Sequence, residues 1–84
     1  MNSISWTLKA AKQLRKLDKQ DQQAIVGAVG GLTAMPDCRN IKALSNHEYG
    51  YRLRVGNYRV LFDWSGSLKI VEIQEVKKRD ERTY

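Results

Sequence analysis

The sequence predicts an α+β fold, and three observations lead there. Apolar residues recur at helical spacing from Leu8 to about Met35. From Tyr49 onward they alternate with polar ones. Gly56-Asn57 breaks that alternation with a two-residue hairpin signal. The expected architecture is an N-terminal helical hairpin packed on a twisted, mainly antiparallel four-stranded sheet, followed by a short C-terminal segment. At 84 residues the chain has room for one domain, spanning 1–84.

Residues 2–6 place Ile4 and Trp6 on one side of a short first strand. Thr7 is the predicted N-cap of the helix that follows. Ala10, Leu14 and Leu17 form the apolar stripe of that helix. Lys9, Lys12, Lys16 and Lys19 fall on nearly the opposite side as a lysine ridge. Asp18 or Asp21 caps a second helix running to about Met35, with Ile25, Val29 and Leu32 buried and Pro36 ending it. Gly27, Gly30 and Gly31 weaken this helix, and close packing is the expected use of them. They do not form a dinucleotide or phosphate-loop motif.

Residues 37–48 read as a loop, with Ile41 and Leu44 tucked against the core. The second strand covers Tyr51 to Val55, the third Tyr58 to Trp64 and the fourth Leu68 to Val76. Lys77 to Tyr84 is a charged terminal segment.

Fifteen Lys and Arg against nine Asp and Glu give a net charge of +6, which points to an acidic or polyanionic partner. The excess is shared equally by the halves before and after residue 50, so it lies on faces and not in a tail. A single cysteine, Cys38, excludes an internal disulfide and a multi-cysteine zinc site. A single histidine, His47, makes a histidine-based catalytic triad a poor fit. Neither a metal nor another cofactor is expected. No apolar run reaches the ~18 residues of a membrane helix. The N-terminus lacks the pattern of a secretory signal, and the expected location is the cytoplasm.

The hairpin organises the cations. A turn at 56–57 pairs Val55 with Tyr58, Arg54 with Arg59, Leu53 with Val60 and Arg52 with Leu61. Arg52, Arg54 and Arg59 then share one face, with Arg54 directly opposite Arg59. Like charges so placed destabilise a sheet unless an anion lies between them. Planar guanidinium groups grip phosphate through paired hydrogen bonds, so nucleic acid is the expected ligand. A three-residue turn at 65–67 pairs Trp64 with Leu68, Phe62 with Ile70 and Arg59 with Ile73. That register puts Leu61, Val71 and Ile73 on the arginine face. It also brings Lys77, Lys78 and Arg79 to the same end of the sheet.

The stretch Tyr51-Arg-Leu-Arg-Val-Gly-Asn-Tyr-Arg-Val-Leu-Phe62 resembles the strand signature of the RelE/ParE superfamily of bacterial type II toxins. Ala11–Leu17 and Ile41–Leu44 resemble its first helix and the loop before that strand. Val76–Tyr84 resembles its basic C-terminal motif ending in tyrosine. The resemblance implies a RelE-like fold whose first strand pairs in parallel at a sheet edge, and a toxin neutralised by a cognate antitoxin. In the RelE branch the toxin enters the ribosomal A site and cuts mRNA. In the ParE branch it poisons DNA gyrase.

Arg59, Arg79 and Tyr84 match catalytic positions of the RelE branch. Arg52, Arg54, Lys77 and Lys78 are the expected phosphate-binding residues, and Lys9, Lys12, Lys16 and Lys19 the expected ribosome-binding ridge. The function so implied is a ribosome-dependent, metal-independent mRNA endonuclease, with ribosome, mRNA and antitoxin as partners. A gyrase inhibitor and a non-catalytic RNA-binding module are the alternatives. Two departures from the family pattern bear on the chemistry. Arg52 and Arg54 stand where RelE has lysines, and arginine cannot accept a proton. Lys78 stands where several relatives have histidine. Lys77, Lys78 and Tyr84 all remain open as the general base. The antitoxin is expected to fold on binding, to set acidic residues against Arg52, Arg54, Arg59 or Arg79, and to exclude the ribosome sterically.

Overall fold

Thr7 separates the first strand from the first helix in the computed structural model, which describes residues 1–78. The elements in order are β1 (Ser3–Trp6), α1 (Leu8–Arg15), α2 (Lys19–Gly30), a 3-10 turn (Gly31–Ala34), β2 (Ile41–Ala43), β3 (Tyr51–Val55), β4 (Tyr58–Ser65) and β5 (Ile70–Lys78). Thr7 Oγ1 accepts the Ala10 N–H at 3.1 Å, so one of the unpaired amides at the start of α1 is satisfied. The same hydroxyl donates to the Gln74 carbonyl at 3.3 Å, which fixes α1 against β5.

The chain turns after Arg15, and Gln22 Nε2 donates to the Leu17 carbonyl at 2.7 Å across that turn. Asp18 is the N-cap of α2 but makes no side-chain cap hydrogen bond. Ile25, Val29 and Leu32 are buried, as the pattern predicts. The predicted single helix to Met35 instead ends at Gly30 and tightens into the 3-10 turn. Two successive glycines make the last α-helical turn weak, and Pro36 blocks its continuation. Gly27, Gly30 and Gly31 have no neighbour within 4 Å of where a Cβ would stand, so none of them serves close packing.

Five strands form the sheet, in the order β1-β5-β4-β3-β2. The additional strand is β2, inside the stretch read as loop. Ile41 pairs with Leu53, Lys42 with Arg52 and Ala43 with Tyr51. Three residues are too few for an alternation to stand out in the sequence, and β2 exists because β3 supplies its partner. β1 lies parallel to β5, with Ser3 opposite Ile70 and Trp6 opposite Ile73. The hairpin register is as expected, with Val55 opposite Tyr58 and Arg54 opposite Arg59.

The β4–β5 register differs from the expectation. Ser65 pairs with Ile70 across a four-residue turn, and Lys69 takes a positive φ of 56° there. Val71 thus faces Trp64, and Ile73 faces Phe62. Both are fully buried in the core and not on the arginine face, while Leu68 is left exposed. The longer turn is favoured because it buries two β-branched side chains that a three-residue turn would leave outside.

A β-bulge follows. Phe62 opposes Ile73 but Leu61 opposes Glu75, which leaves Gln74 as the extra residue. Alternation on β5 therefore changes phase. Val71 and Ile73 point to the core before the bulge, and Val76 points there after it.

The helices cover one face of the sheet. Ala10, Ile25, Val29, Leu32 and Met35 pack there on Leu53, Val60, Phe62, Val71, Ile73 and Val76. Tyr51 stacks on Phe62 with ring centroids 5.5 Å apart, and Trp64 meets Tyr51 edge-on. Buried Asn2 accepts from Trp64 Nε1 at 3.2 Å and donates to the Thr33 and Met35 carbonyls at 3.1 Å each. The N-terminus is thereby tied to the end of the helical hairpin. Phe62 is the largest fully buried side chain. Phe62→Ala is expected to cost about 3–5 kcal/mol, read as a lowered urea midpoint at unchanged slope.

Candidate nucleic-acid interface

The site lies on the sheet face away from the helices. Strand pairing sets its cations in two rows. One row reads Lys42, Arg52, Leu61, Glu75 across β2, β3, β4 and β5. The next reads Arg54, Arg59, Lys77 across β3, β4 and β5. Neighbouring strands lie about 4.8 Å apart, so side chains in one row reach each other or a shared ligand. Arg52 and Arg59 are half-buried, and Arg54 is exposed. The Nε atoms of Arg52 and Arg59 are both buried without a hydrogen-bond partner. A buried donor of a charged group is costly to leave unpaired, and an incoming anion relieves that cost.

Glu75 is the counter-charge. It is buried, at 7% exposure, on the same face as the arginines. Its Oε1 receives Lys9 Nζ from α1 at 2.7 Å, and its Oε2 lies 3.7 Å from Lys77 Nζ. The Lys9 hydrogen bond, aided by the Lys77 charge, holds the carboxyl below its ordinary pKa against the opposing effect of burial. Lys9 is raised in turn, chiefly by the same hydrogen bond. Tyr49 stands at the rim, where burial, then the charges of Glu48 and Glu75, push its hydroxyl up. The loop that carries it is pinned where the Gly50 N–H donates to Asp63 Oδ1 at 2.8 Å.

The structure brings Arg52, Arg54, Arg59 and Lys77 together as predicted. Lys78 is not among them. It pairs with Tyr58, so alternation turns it to the helix side, where it lines a cleft of about 280 Å³ with Asp21 and Val55. Tyr58 donates to Asp21 there at 2.9 Å. Of the apolar residues expected on the arginine face, only Leu61 lies there. Lys9, Lys12 and Lys16 are exposed along α1 and its C-cap, but Lys19 begins α2. The turn between the helices breaks the expected ridge of four. Arg79 and Tyr84 lie outside the described residues.

Three site residues were missed by sequence reasoning. Lys42 reaches the face only through β2. Glu75 does so only through the bulge. Tyr49 is held there by the Gly50–Asp63 bond. Cys38 is half-buried, with Sγ 3.4 Å from the Gly31 carbonyl, and burial raises its thiol, as suits a filler and not a nucleophile. His47 is exposed, and its Nδ1 accepts the Tyr49 N–H at 3.0 Å. Among the described residues no cluster of His, Cys, Asp and Glu could hold a metal ion. No helix among them is long and apolar enough to cross a membrane.

Two helices packed on a five-stranded mixed sheet is the architecture of RelE-like toxins. Residues 4–83 match the family model described as the ParE toxin of the type II toxin-antitoxin system parDE. The chain belongs to this family of type II toxin-antitoxin toxins. It is 26% identical to a chain of the RelBE2 toxin-antitoxin complex from Mycobacterium tuberculosis, with a TM-score of 0.78 over 93% of this chain and 98% of that one. Its fold is that of a chain in the archaeal RelE–RelB complex from Pyrococcus horikoshii, at 22% identity and TM-score 0.81, covering 95% and 97%. It is equally that of a chain in the chromosomal ParDE system of P. aeruginosa, at 20% identity and TM-score 0.75, covering 95% and 98%. A comparison with curated proteins gave no match.

The Glu75 ion pairs have a consequence for stability. A carboxylate with a depressed folded-state pKa stabilises the fold above its unfolded-state pKa. That contribution is lost as pH falls through the folded value. Wild type is therefore expected to lose stability as pH drops through the carboxylate range, and Glu75→Gln to show a flatter decline. Urea midpoints across pH 3–7 (about 3 to 7, the carboxylate window) measure it.

Proposed function

We propose that this toxin is a ribosome-dependent mRNA endonuclease. One observation carries the reading: Arg54 and Arg59 oppose each other on an uncovered face, beside arginine Nε atoms that are buried and unpartnered. Such an arrangement is unfavourable in isolation and is relieved by a phosphate. RNA supplies its own nucleophile in the 2′-hydroxyl, so the protein need only align that group, stabilise the charge that develops on phosphorus and manage protons. Arg59 stabilises the developing charge, and Arg52, Arg54, Lys42 and Lys77 hold the flanking phosphates. Arg79 and Tyr84 complete the set, with Arg79 on the scissile phosphate and Tyr84 stacking on a base or assisting proton transfer. The products are a 2′,3′-cyclic phosphate and a 5′-hydroxyl. The exposed lysines of α1 meet ribosomal RNA, and the setting is the cytoplasm.

The solved RelE relatives from M. tuberculosis and P. horikoshii are complexes with an antitoxin, which supports a cognate antitoxin as partner here. Its acidic residues meet the arginine face, and its bulk excludes the ribosome. A second reading, a gyrase inhibitor, has the match to the ParE family model in its favour.

Cell-free translation with mapping of mRNA ends separates the two. The endonuclease reading expects cuts in ribosome-bound message, with supercoiling by gyrase unaffected. Arrested supercoiling with intact message establishes the second reading instead. Arg59→Ala is expected to lower the cleavage rate by at least about 100-fold while ribosome binding falls far less, which sets an enzyme apart from a plain RNA binder. Arg54→Ala is expected to weaken binding and to reduce its dependence on salt by about one counterion.

A further inference from the structure

The arginine face holds a carboxylate that a phosphate-binding surface alone does not need. Arginine cannot take a proton, so Arg52 and Arg54 leave the attacking hydroxyl without an acceptor in their part of the site. Three carboxylates lie on this side of β4 and β5: Asp63, Glu72 and Glu75. Asp63 is committed to the Gly50 N–H and to the Gln74 amide, and Glu72 is exposed and bonded to Gln74. Among the described residues of these strands, only Glu75 lies level with the arginines. It occupies the row of Arg52 and is diagonal to Arg59, two residues from Lys77. Diagonal neighbours on a sheet lie about 7–8 Å apart at their backbones, which leaves room for a phosphodiester between the two side chains.

We propose that Glu75 is the general base that takes the proton from the attacking 2′-hydroxyl, with Lys77 as its partner acid. This rests on the endonuclease reading. The 2′-O–H bond breaks and its proton passes to the Glu75 carboxylate while the 2′-oxygen bonds to phosphorus. The P–O5′ bond breaks, and the leaving 5′-oxygen takes the electron pair and a proton from the Lys77 ammonium. Glu75 then returns its proton to Lys77 across their 3.7 Å contact, and both groups end as they began.

Lys9 has a second role in this arrangement. In the free protein its hydrogen bond keeps Glu75 ionised and weakly basic. The Lys9 side chain is 58% exposed and that of Glu75 only 9%. A polyanion along α1 draws Lys9 outward, and burial then makes the carboxylate more basic. The groups that face Glu75 are Lys9 from α1, Lys77 from its own strand, Tyr49 from the loop before β3 and, diagonally on the adjoining β4, Arg59; Arg52 lies in the same row one strand further on, and Glu48 acts on Tyr49 and Lys9. A toxin built this way is inert until it meets its ribosomal target.

Single-turnover cleavage on mRNA-programmed ribosomes tests the proposal, with ribosome binding measured in parallel by sedimentation. Glu75→Gln keeps the shape and removes the base. It is expected to slow cleavage by about 100-fold or more with binding unchanged or tighter, and Glu75→Asp to recover part of the rate. With ribosomes below saturation, where the rate reports the free toxin, the wild-type rate is expected to rise with pH along a single acid limb, and Lys9→Met to move that limb to higher pH. Cleavage by Glu75→Gln at the wild-type rate overturns the proposal. If that variant fails to fold, a wild-type profile with no acid limb overturns it equally. Both results leave the endonuclease reading standing. Wild-type protein that cuts no message on ribosomes overturns that reading, and the base assignment with it.

Discussion

The bulge at Gln74 is the constraint on which the rest of the molecule depends. A strand without it shows one set of alternate residues to the core along its whole length. β5 must bury Val71 and Ile73 under the helices near its start and Val76 near its end, and no single alternation accommodates all three. The extra residue lets the strand change phase. The phase change that buries Val76 also turns Glu75 and Lys77 outward beside Leu61 and Arg59. Core packing and the composition of the candidate site are thus settled by one irregularity.

β5 also passes beyond its parallel partner. β1 pairs with it only as far as Ile73, and among the described residues no strand flanks the backbone beyond on that side. α1 supplies side chains in place of one. Thr7 donates to the Gln74 carbonyl, and Gln13 Oε1 accepts the Val76 N–H at 2.7 Å. The Lys9–Glu75 ion pair lies between these two bonds along the strand. An exposed sheet edge invites pairing with another chain, and here a helix closes it. The same closure links the lysine-bearing helix to the cationic face through one carboxylate, Glu75, which meets Lys9 of α1 and Lys77 of the sheet.

The opposed arginines set stability against binding. Like charges directly across a ladder disfavour the fold by a few tenths of a kcal/mol or more, and the buried Nε atoms add to that. The core beneath bears the cost through Phe62, Val60, Ile73 and the helices packed on them. A phosphate or an acidic protein segment between the guanidinium groups would remove the repulsion. The same positive charge suits either kind of anion.

Much of the fold was legible in the residues. Helical spacing identified both helices, Thr7 announced its cap, and Gly56-Asn57 set the hairpin register that puts Arg54 opposite Arg59. Those features are local: each depends on residues a few positions apart, whose geometry the backbone fixes without outside help. β2, the four-residue turn before Ile70 and the bulge at Gln74 were decided elsewhere. Three residues make a strand only when a partner edge is present. A turn length is chosen by which side chains it buries, and a bulge by the mismatch between two ends of one strand. Lys42, Glu75 and Tyr49 reach the site through such contacts, as did the displacement of Lys78 to the helix side. The sequence by itself determined the charge, the hairpin and the arginines upon it, because these follow from local alternation. Tertiary structure alone decided which carboxylate stands among them, because that depends on how β5 satisfies the core.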